Sequence, residues 1–427
     1  MRPLALLAAP ALTLLLACGG DQAAVPAGGG AAGSGATRLR LMTMQLSPRY
    51  DAYMSALCAS FEAQNPGVEV EWIDSPFEGY LNRVQALFRA GEAPDVINLT
   101  YDTGVRIAQD AALADLGAIL GDDVVATYFP GVVASACTWE GRVFALPWYL
   151  SVDVMMYNRS LMEQAGLDPD APPETLEELL AASRQIRERL PGKFGFFQRL
   201  TEEGRLRELL ARAGVPLVTR DERGRLRAAF NTPEGVAALE MWARAYQEGL
   251  IPRDTLTADH RRAIELFKTG TTVFFNSGPQ FLREVRADAP DVYAVTGVAS
   301  EVRWPNGLHF VEVHELLVPD RGDTPEAEER ERLGAELAAF ITSGPIQLAL
   351  CREAPILPSV VAAAQDPMFT EIDGTVESRA RALSAAALAS AEVFIPSLPE
   401  AGRLNAAMTE CVQRACLGEA TPAQALA

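Results

Sequence analysis

Apolar positions recur along this chain in two rhythms that take turns. Arg38-Leu39-Arg40-Leu41-Met42-Thr43-Met44 alternates and predicts a strand. Tyr50, Tyr53, Met54, Leu57, Cys58 and Phe61 follow at helical spacing, with Ser47-Pro48 as N-cap and first helical residue. Val68, Val70 and Trp72 alternate again, residues 77–89 read as a helix that stops at Gly91, and residues 95–99 form a third strand. This β-α-β-α-β order is the beginning of an open parallel sheet. Ligands of such sheets lie beyond the carboxyl ends of the strands. Here those ends are residues 43–47, which include Gln45, and residues 100–102.

The stretch 141–158 follows a Glu140-Gly141 turn, with Trp139 in the hairpin before it. Pro147 interrupts it, and Pro cannot donate to a sheet ladder. Two strands sharing an extended joint at residue 147 are expected, with Trp148 and Tyr149 at that joint. The alternative is one edge strand with a buried Trp148. Further on, Thr175 and Glu178 form a capping box, a helix occupies residues 230–250, and a strand at 272–275 leads into Asn276-Ser277-Gly278-Pro279. Trp304-Pro305-Asn306-Gly307 breaks the chain before an extended run to Val318, and Pro355 and Pro358 bracket another break. Residues 325–350 and 374–417 read as largely helical. Breaks near 147, 306 and 355 are therefore the places where the chain can cross between two lobes.

The beginning of the chain has a different character. Arg2 precedes an almost wholly apolar run, residues 4–16, too short for a comfortable membrane span. Leu15-Leu16-Ala17-Cys18 has the pattern of a bacterial lipobox, in which Cys18 carries the lipid. Residues 1–17 then read as a lipoprotein signal peptide, and residues 18–37 as the lipidated Cys followed by a flexible Gly/Ala tether. No second apolar run is long enough to span a bilayer. A formal charge of −19 disfavours nucleic acid, whose binding needs a basic footprint. Cys58, Cys137, Cys351, Cys411 and Cys416 are an odd number, so at least one thiol stays free or pairs between molecules. Cys411 and Cys416 can pair only if the helix ends between them.

From residue 38 onward the chain resembles the extracellular solute-binding proteins of ABC importers, in the group that serves maltose, trehalose, other oligosaccharides and glycerol phosphates. The resemblance is carried by Gly91-Glu92-Ala93-Pro94-Asp95-Val96, the stretch 141–147, Tyr157-Asn158-Arg159, Ala165-Gly166-Leu167-Asp168-Pro169 and Pro172-Pro173-Glu174-Thr175. Later come Phe230-Asn231-Thr232-Pro233-Glu234-Gly235, Phe340-Ile341-Thr342-Ser343-Gly344-Pro345, Pro355-Ile356-Leu357-Pro358-Ser359 and Gly418-Glu419-Ala420-Thr421-Pro422. It implies an α/β, type II periplasmic-binding-protein fold of two lobes, each an open and mostly parallel sheet flanked by helices, joined by three hinge crossings. Residues 38–147 and 308–353 would make the N-lobe, and 148–307 with 354–427 the C-lobe. It also implies a monomer that captures a carbohydrate and passes it to importer permease subunits, touching the membrane only through its lipid anchor and using no cofactor.

The same resemblance places ligand contacts at Asp102, at Phe77 or Tyr80, at Ser151, and at Ser277 and Gly278. Members that bind glycerol phosphate carry Gly-Gly-Ala where this chain has Glu312-Val313-His314-Glu315, and an arginine where it has Phe394. A phosphate ligand loses support and a neutral sugar gains it. A carboxylate can accept from two sugar hydroxyls and an aromatic covers the apolar ring face. Asp102 and Trp148 suit these roles, with helix capping and core packing as their respective alternatives. Tyr149, Trp304, His309, Phe310 and Phe281 are further candidates, each of a type more often found in the core. Two rivals remain. The chain has no GxSxG, HExxH or P-loop, so an enzyme would have to rest on carboxylates alone. A metal site at His309 and His314 would need side chains that strand alternation sends to opposite faces.

Overall fold

The computed structural model describes residues 36–201, 205–223, 225–307, 309–393 and 401–427. The expected signal peptide, the expected tether with Cys18 up to residue 35, and Phe394 lie outside them. Residues 37–427 form one compact unit.

The first sheet begins as the alternation predicts. β1 (Thr37–Met44) pairs in parallel with β2 (Val68–Ser75) and with β3 (Val96–Thr100). The helix between β1 and β2 starts at Asp51, not at Pro48. The reason is Asp74 at the end of β2, whose carboxylate accepts from the N–H groups of Leu46 and Ser47 and from Thr43 Oγ1. Those bonds hold the chain in a turn where a helix would otherwise begin. The helix Tyr80–Ala90 ends at Gly91, which takes φ 70° and caps it in the left-handed conformation.

A hairpin of β4 (Thr138–Trp139) and β5 (Arg142–Val143) precedes β6 (Ala145–Val152). β6 runs through Pro147 as one strand, against the expected joint. The register against β12 (His309–Leu317) explains how: His314 faces Tyr149 and Glu315 faces Pro147, so Trp148 is the extra residue of a β-bulge. The carbonyls freed there are taken by side chains from a distant segment. Gln347 Nε2 donates to the Trp148 carbonyl at 2.7 Å, and Ser359 Oγ donates to that of Pro147. The sheet order is β13-β6-β12-β3-β1-β2, with β13 (Leu357–Pro358) on one edge and β14 (Ala391–Glu392) beside β12. Among the described residues of this sheet, the pairs of β1 with β2 and β3, and of β12 with β14, are parallel and the others antiparallel.

The chain first changes sheet at Asp153, beyond the expected break at Pro147. β7 (Val154–Asn158) is the middle strand of a second sheet, between β10 (Phe274–Ser277) and β11 (Thr296–Ser300). Both pairs are antiparallel, which corrects the expectation of a mostly parallel sheet in each lobe. β7 leads into this lobe and β11 leads out of it toward β12, so adjacent entering and leaving strands must run in opposite directions. An exposed hairpin of β8 (Val218–Arg220) and β9 (Leu226–Ala228) belongs to the same half of the chain.

Residues 148–152 and 357–358 thus sit in the first sheet, although the lobe boundaries read from sequence gave them to the other lobe. Beyond β13 the chain does not cross once. The helix Val376–Ala387 places Ala380 in the core around β7, and β14 then returns to β12. Asp95, fully buried, ties the first lobe together: it accepts from Arg40 N–H and from the guanidinium of Arg330, and forms an ion pair with that of Arg321 at 2.8 Å. All five cysteines beyond Cys18 are free, and the helix Ala401–Leu417 runs through both Cys411 and Cys416. Among the described residues no single helix is long and apolar enough to cross a membrane.

Candidate functional site

Strand alternation builds one polar face where the two sheets meet. On β6, Tyr149 and Ser151 point the same way, and Asp153 continues their row past the strand end. Their partners on β12 are His314 opposite Tyr149 and Glu312 opposite Ser151. Thr100, at the end of β3, pairs with His314 on its other side, and the helix Tyr101–Asp110 follows directly. The His314 ring stacks on Tyr149 with centroids 4.3 Å apart. Burial pushes its imidazole down to about 4, against the pull of Asp102, so it is neutral at neutral pH. Glu312 is 51% solvent-exposed, yet burial raises its carboxyl, with Asp102 and Glu208 adding to the rise and Arg199 and Arg205 opposing it. A side chain that water reaches and protein still surrounds lies on the floor of a cleft.

The carboxyl ends of β1, β2 and β3 reach this floor. Burial raises the Tyr149 hydroxyl, and Glu312, Tyr50 and Tyr80 raise it further, so these four side chains converge. Tyr80 is buried and donates to the Met42 carbonyl. Gln45 is exposed with φ 56°, a left-handed conformation that side-chain-bearing residues adopt at a cost. Phe77 is 60% exposed. Asp102 is exposed in the first turn of its helix and accepts from Thr100 Oγ1 at 2.7 Å. Thr100, not Asp102, holds the N-cap position.

The second lobe faces this floor with the helix Arg205–Arg212, on which Arg207, Glu208 and Arg212 are buried. Buried charges need partners, and these have them. Glu208 binds Arg205 and, at 2.8 Å, Arg212, which reaches Glu301 at 2.9 Å with its other nitrogen. Burial works to raise the Glu208 carboxyl, but the guanidiniums of Arg205, Arg212 and Arg199 hold it below its usual range. The Tyr101 hydroxyl, raised by burial and Asp102, also feels Glu208 and Arg207, which sets this helix against the first lobe. Phe310 joins the two halves, packing against the cores of both lobes and tilting onto Tyr101 at 6.0 Å.

Tyr80, Asp102, Tyr149 and Ser151, expected as ligand contacts, lie on or beside this floor, with Gln45 and Phe77 at the neighbouring strand ends. Trp148 is a correction: its exposure is 0%, because the bulge turns it into the core beside Leu146 and Leu316. Trp304 is buried too, and Arg212 occupies its ring face at 4.8 Å. Ser277 is buried against His260, with Oγ 3.1 Å from Nε2, and a Cβ on Gly278 would meet the Gln280 amide at 2.2 Å. His309 turns toward Glu301 and away from His314. Among the described residues no group of three or more His, Cys, Asp or Glu side chains could hold a metal ion. Sequence reasoning missed Asp153, Glu301, Glu208 and Arg212. Only Asp153 left a signal, as the lone charge in the apolar run 143–157.

Residues 46–345 match the family described as bacterial extracellular solute-binding protein. A periplasmic-binding protein from Synechococcus sp. MITs9220, provisionally assigned to oligosaccharides and solved in complex with zinc, is 35% identical; the match covers 91% of this chain and 96% of that one, with a TM-score of 0.81. The melibiose/raffinose/stachyose-binding protein MelE of Bacillus subtilis is 23% identical over 256 residues, 58% of each chain. The sn-glycerol-3-phosphate-binding periplasmic protein UgpB of Brucella abortus is 28% identical over 113 residues, 25% of this chain and 26% of that one. With two lobes around a cleft and a family match over most of its length, this chain belongs to the bacterial extracellular solute-binding proteins and is an exported protein.

Proposed function

We propose that this protein captures a carbohydrate between its lobes and delivers it, unaltered, to the membrane subunits of an ABC importer. The observation that carries this reading is the cleft floor itself. Tyr149, fixed by its stack on His314, offers an aromatic platform, and Glu312 and Asp102 stand beside it as hydroxyl acceptors. Sugar-binding relatives support the same chemistry. Closure moves the helix Arg205–Arg212 relative to the first lobe about Asp153 and the segment before β12, as a hinge. Cys18, by its Leu15-Leu16-Ala17-Cys18 context, carries a lipid that holds the monomeric domain at the cell envelope through the tether. Thermal shift with maltose, maltotetraose, melibiose and raffinose tests the reading, since a bound ligand raises the melting temperature by mass action. No shift with any sugar at millimolar concentration would sink it.

An anionic solute is the second reading, favoured by the guanidiniums of Arg199 and Arg205 that act on the floor acids. Glycerol 3-phosphate in the same screen decides between them.

A further inference from the structure

Among the described residues two that carry a side chain take a positive φ, Gln45 at 56° and Glu140 at 50°. Glu140 is accounted for by its place. It and Gly141, at φ 80°, are the two loop residues between the paired Trp139 and Arg142, and a tight hairpin needs both in the left-handed region. Gln45 lies in no hairpin. It follows β1 directly, and the next element is the helix Asp51–Gln64. A glycine would take this conformation freely, whereas a residue with a Cβ takes it at a cost.

Asp74 holds the turn from both sides of Gln45. Its carboxylate accepts from Thr43 Oγ1 at 2.7 Å before the turn, and from the N–H groups of Leu46 and Ser47 at 3.1 Å after it. Gln45 N–H donates to the Ser75 carbonyl at 2.8 Å, and Trp72 Nε1 donates to Thr43 Oγ1 at 2.7 Å. The left-handed residue turns two successive N–H groups toward one anion, a backbone nest that the chain fills with its own carboxylate. These charge-assisted bonds offset the cost at Gln45. Leu46 is buried under the turn, while Gln45 is exposed at the carboxyl end of β1. Tyr50, whose N–H donates to the Leu46 carbonyl at 2.9 Å, ties the same turn to the tyrosines that converge on Tyr149. A costly conformation, held this firmly at a strand end beside the floor, points to the side chain it presents.

We propose that Asp74 is a positioning residue for solute capture: it fixes the turn that carries Gln45, whose carboxamide meets the bound sugar, accepting from one hydroxyl and donating to its neighbour. This rests on the carbohydrate reading and deepens it. An uncharged group with both a donor and an acceptor suits adjacent neutral hydroxyls, and the Asp74 charge is already taken up by the turn.

The test is calorimetric titration of the full exported chain with maltotetraose and with raffinose, beside melting curves. Gln45→Gly should lower affinity about two- to tenfold for each hydrogen bond lost, without lowering the melting temperature, because glycine adopts φ 56° unstrained. Asp74→Asn should lower affinity in the wild-type background but add less than about twofold to Gln45→Gly, since its effect passes through Gln45. Thr43→Val removes one donor of the same carboxylate and takes the place of Asp74→Asn should that variant lose its melting transition. Unchanged affinity in Gln45→Gly, or in the folded variant of Asp74 or Thr43, overturns the proposal. An equal fold-loss from that variant in both backgrounds also overturns it, because Asp74 would then act on the lobe as a whole. Weakened binding by Tyr149→Ala in the same titration shows that the carbohydrate reading survives such a failure. If the wild type binds neither sugar, the carbohydrate reading falls and takes this proposal with it.

Discussion

Tyr149 and His314 stand opposite each other on antiparallel strands, their ring planes 15° from parallel and their centroids 4.3 Å apart. The stack covers one face of Tyr149 and sets the ring's orientation, whereas neighbouring Trp148 is sealed in the core. Tyr149→Ala should therefore weaken sugar binding about two- to tenfold, from a lost aromatic contact of about 0.5–1.5 kcal/mol. Trp148→Ala should leave affinity nearly intact in whatever fraction folds and cost about 3–5 kcal/mol of stability. Calorimetry beside denaturant melts separates the two effects. The reverse pattern would mean that Trp148 meets the solute.

His314 makes stability depend on pH. Its imidazole protonates at about 4 in the folded protein, because burial disfavours the charge, and at about 6.5 when unfolded. Between these values the unfolded chain binds more protons, so stability falls as pH drops from about 6.5 to about 4, by up to about 1.4 kcal/mol per pH unit. His314→Gln should remove this part of the slope. His260, pushed down to about 3 by burial and by Arg199 and Arg205, leaves a slope of the same sign. Denaturant melts at pH 7 and pH 4.5 measure it, and equal slopes in wild type and variant would refute the assignment.

Glu315, packed against Gly104, predicts the opposite pH trend. Glu315 is buried on β12 beside the Cys137 thiol, and burial raises its carboxyl well above the usual range. The folded protein keeps this proton while the unfolded chain releases it above about 4.3, so stability falls as pH rises from there. Glu315→Gln should be more stable than wild type at pH 8 and indistinguishable from it near pH 4. A Cβ on Gly104 would lie 1.6 Å from Glu315 Oε1, so Gly104→Ala should destabilise by about 1–3 kcal/mol through overpacking. A neutral Gly104→Ala would show that the helix Tyr101–Asp110 can move off β12.

Asp95 offers a test of the fold alone. Asp95→Ala removes the carboxylate partner of three buried or half-buried groups, from Arg40, Arg321 and Arg330. Leaving guanidiniums unmatched there should cost about 3–5 kcal/mol. An unchanged denaturation midpoint would mean that water replaces the carboxylate without loss.

Local chemistry alone was enough for the first three strands and their helices, the Gly91 cap, the capping box of Thr175 and Glu178, and the hairpin at Glu140-Gly141. Each depends on residues a few positions apart, and so does the placing of Gln45, Phe77 and Asp102 at strand ends. Pro147 defeated that reasoning. Whether a Pro ends a strand or sits in a bulge depends on who takes the freed carbonyls, and Gln347 does so from 199 positions away. The antiparallel second sheet, the burial of Trp148 and the opposition of Asp153 to Glu301 have the same origin. All three follow from pairing registers between segments distant in sequence, and a periodic pattern shows which way a strand's side chains point without showing what they meet.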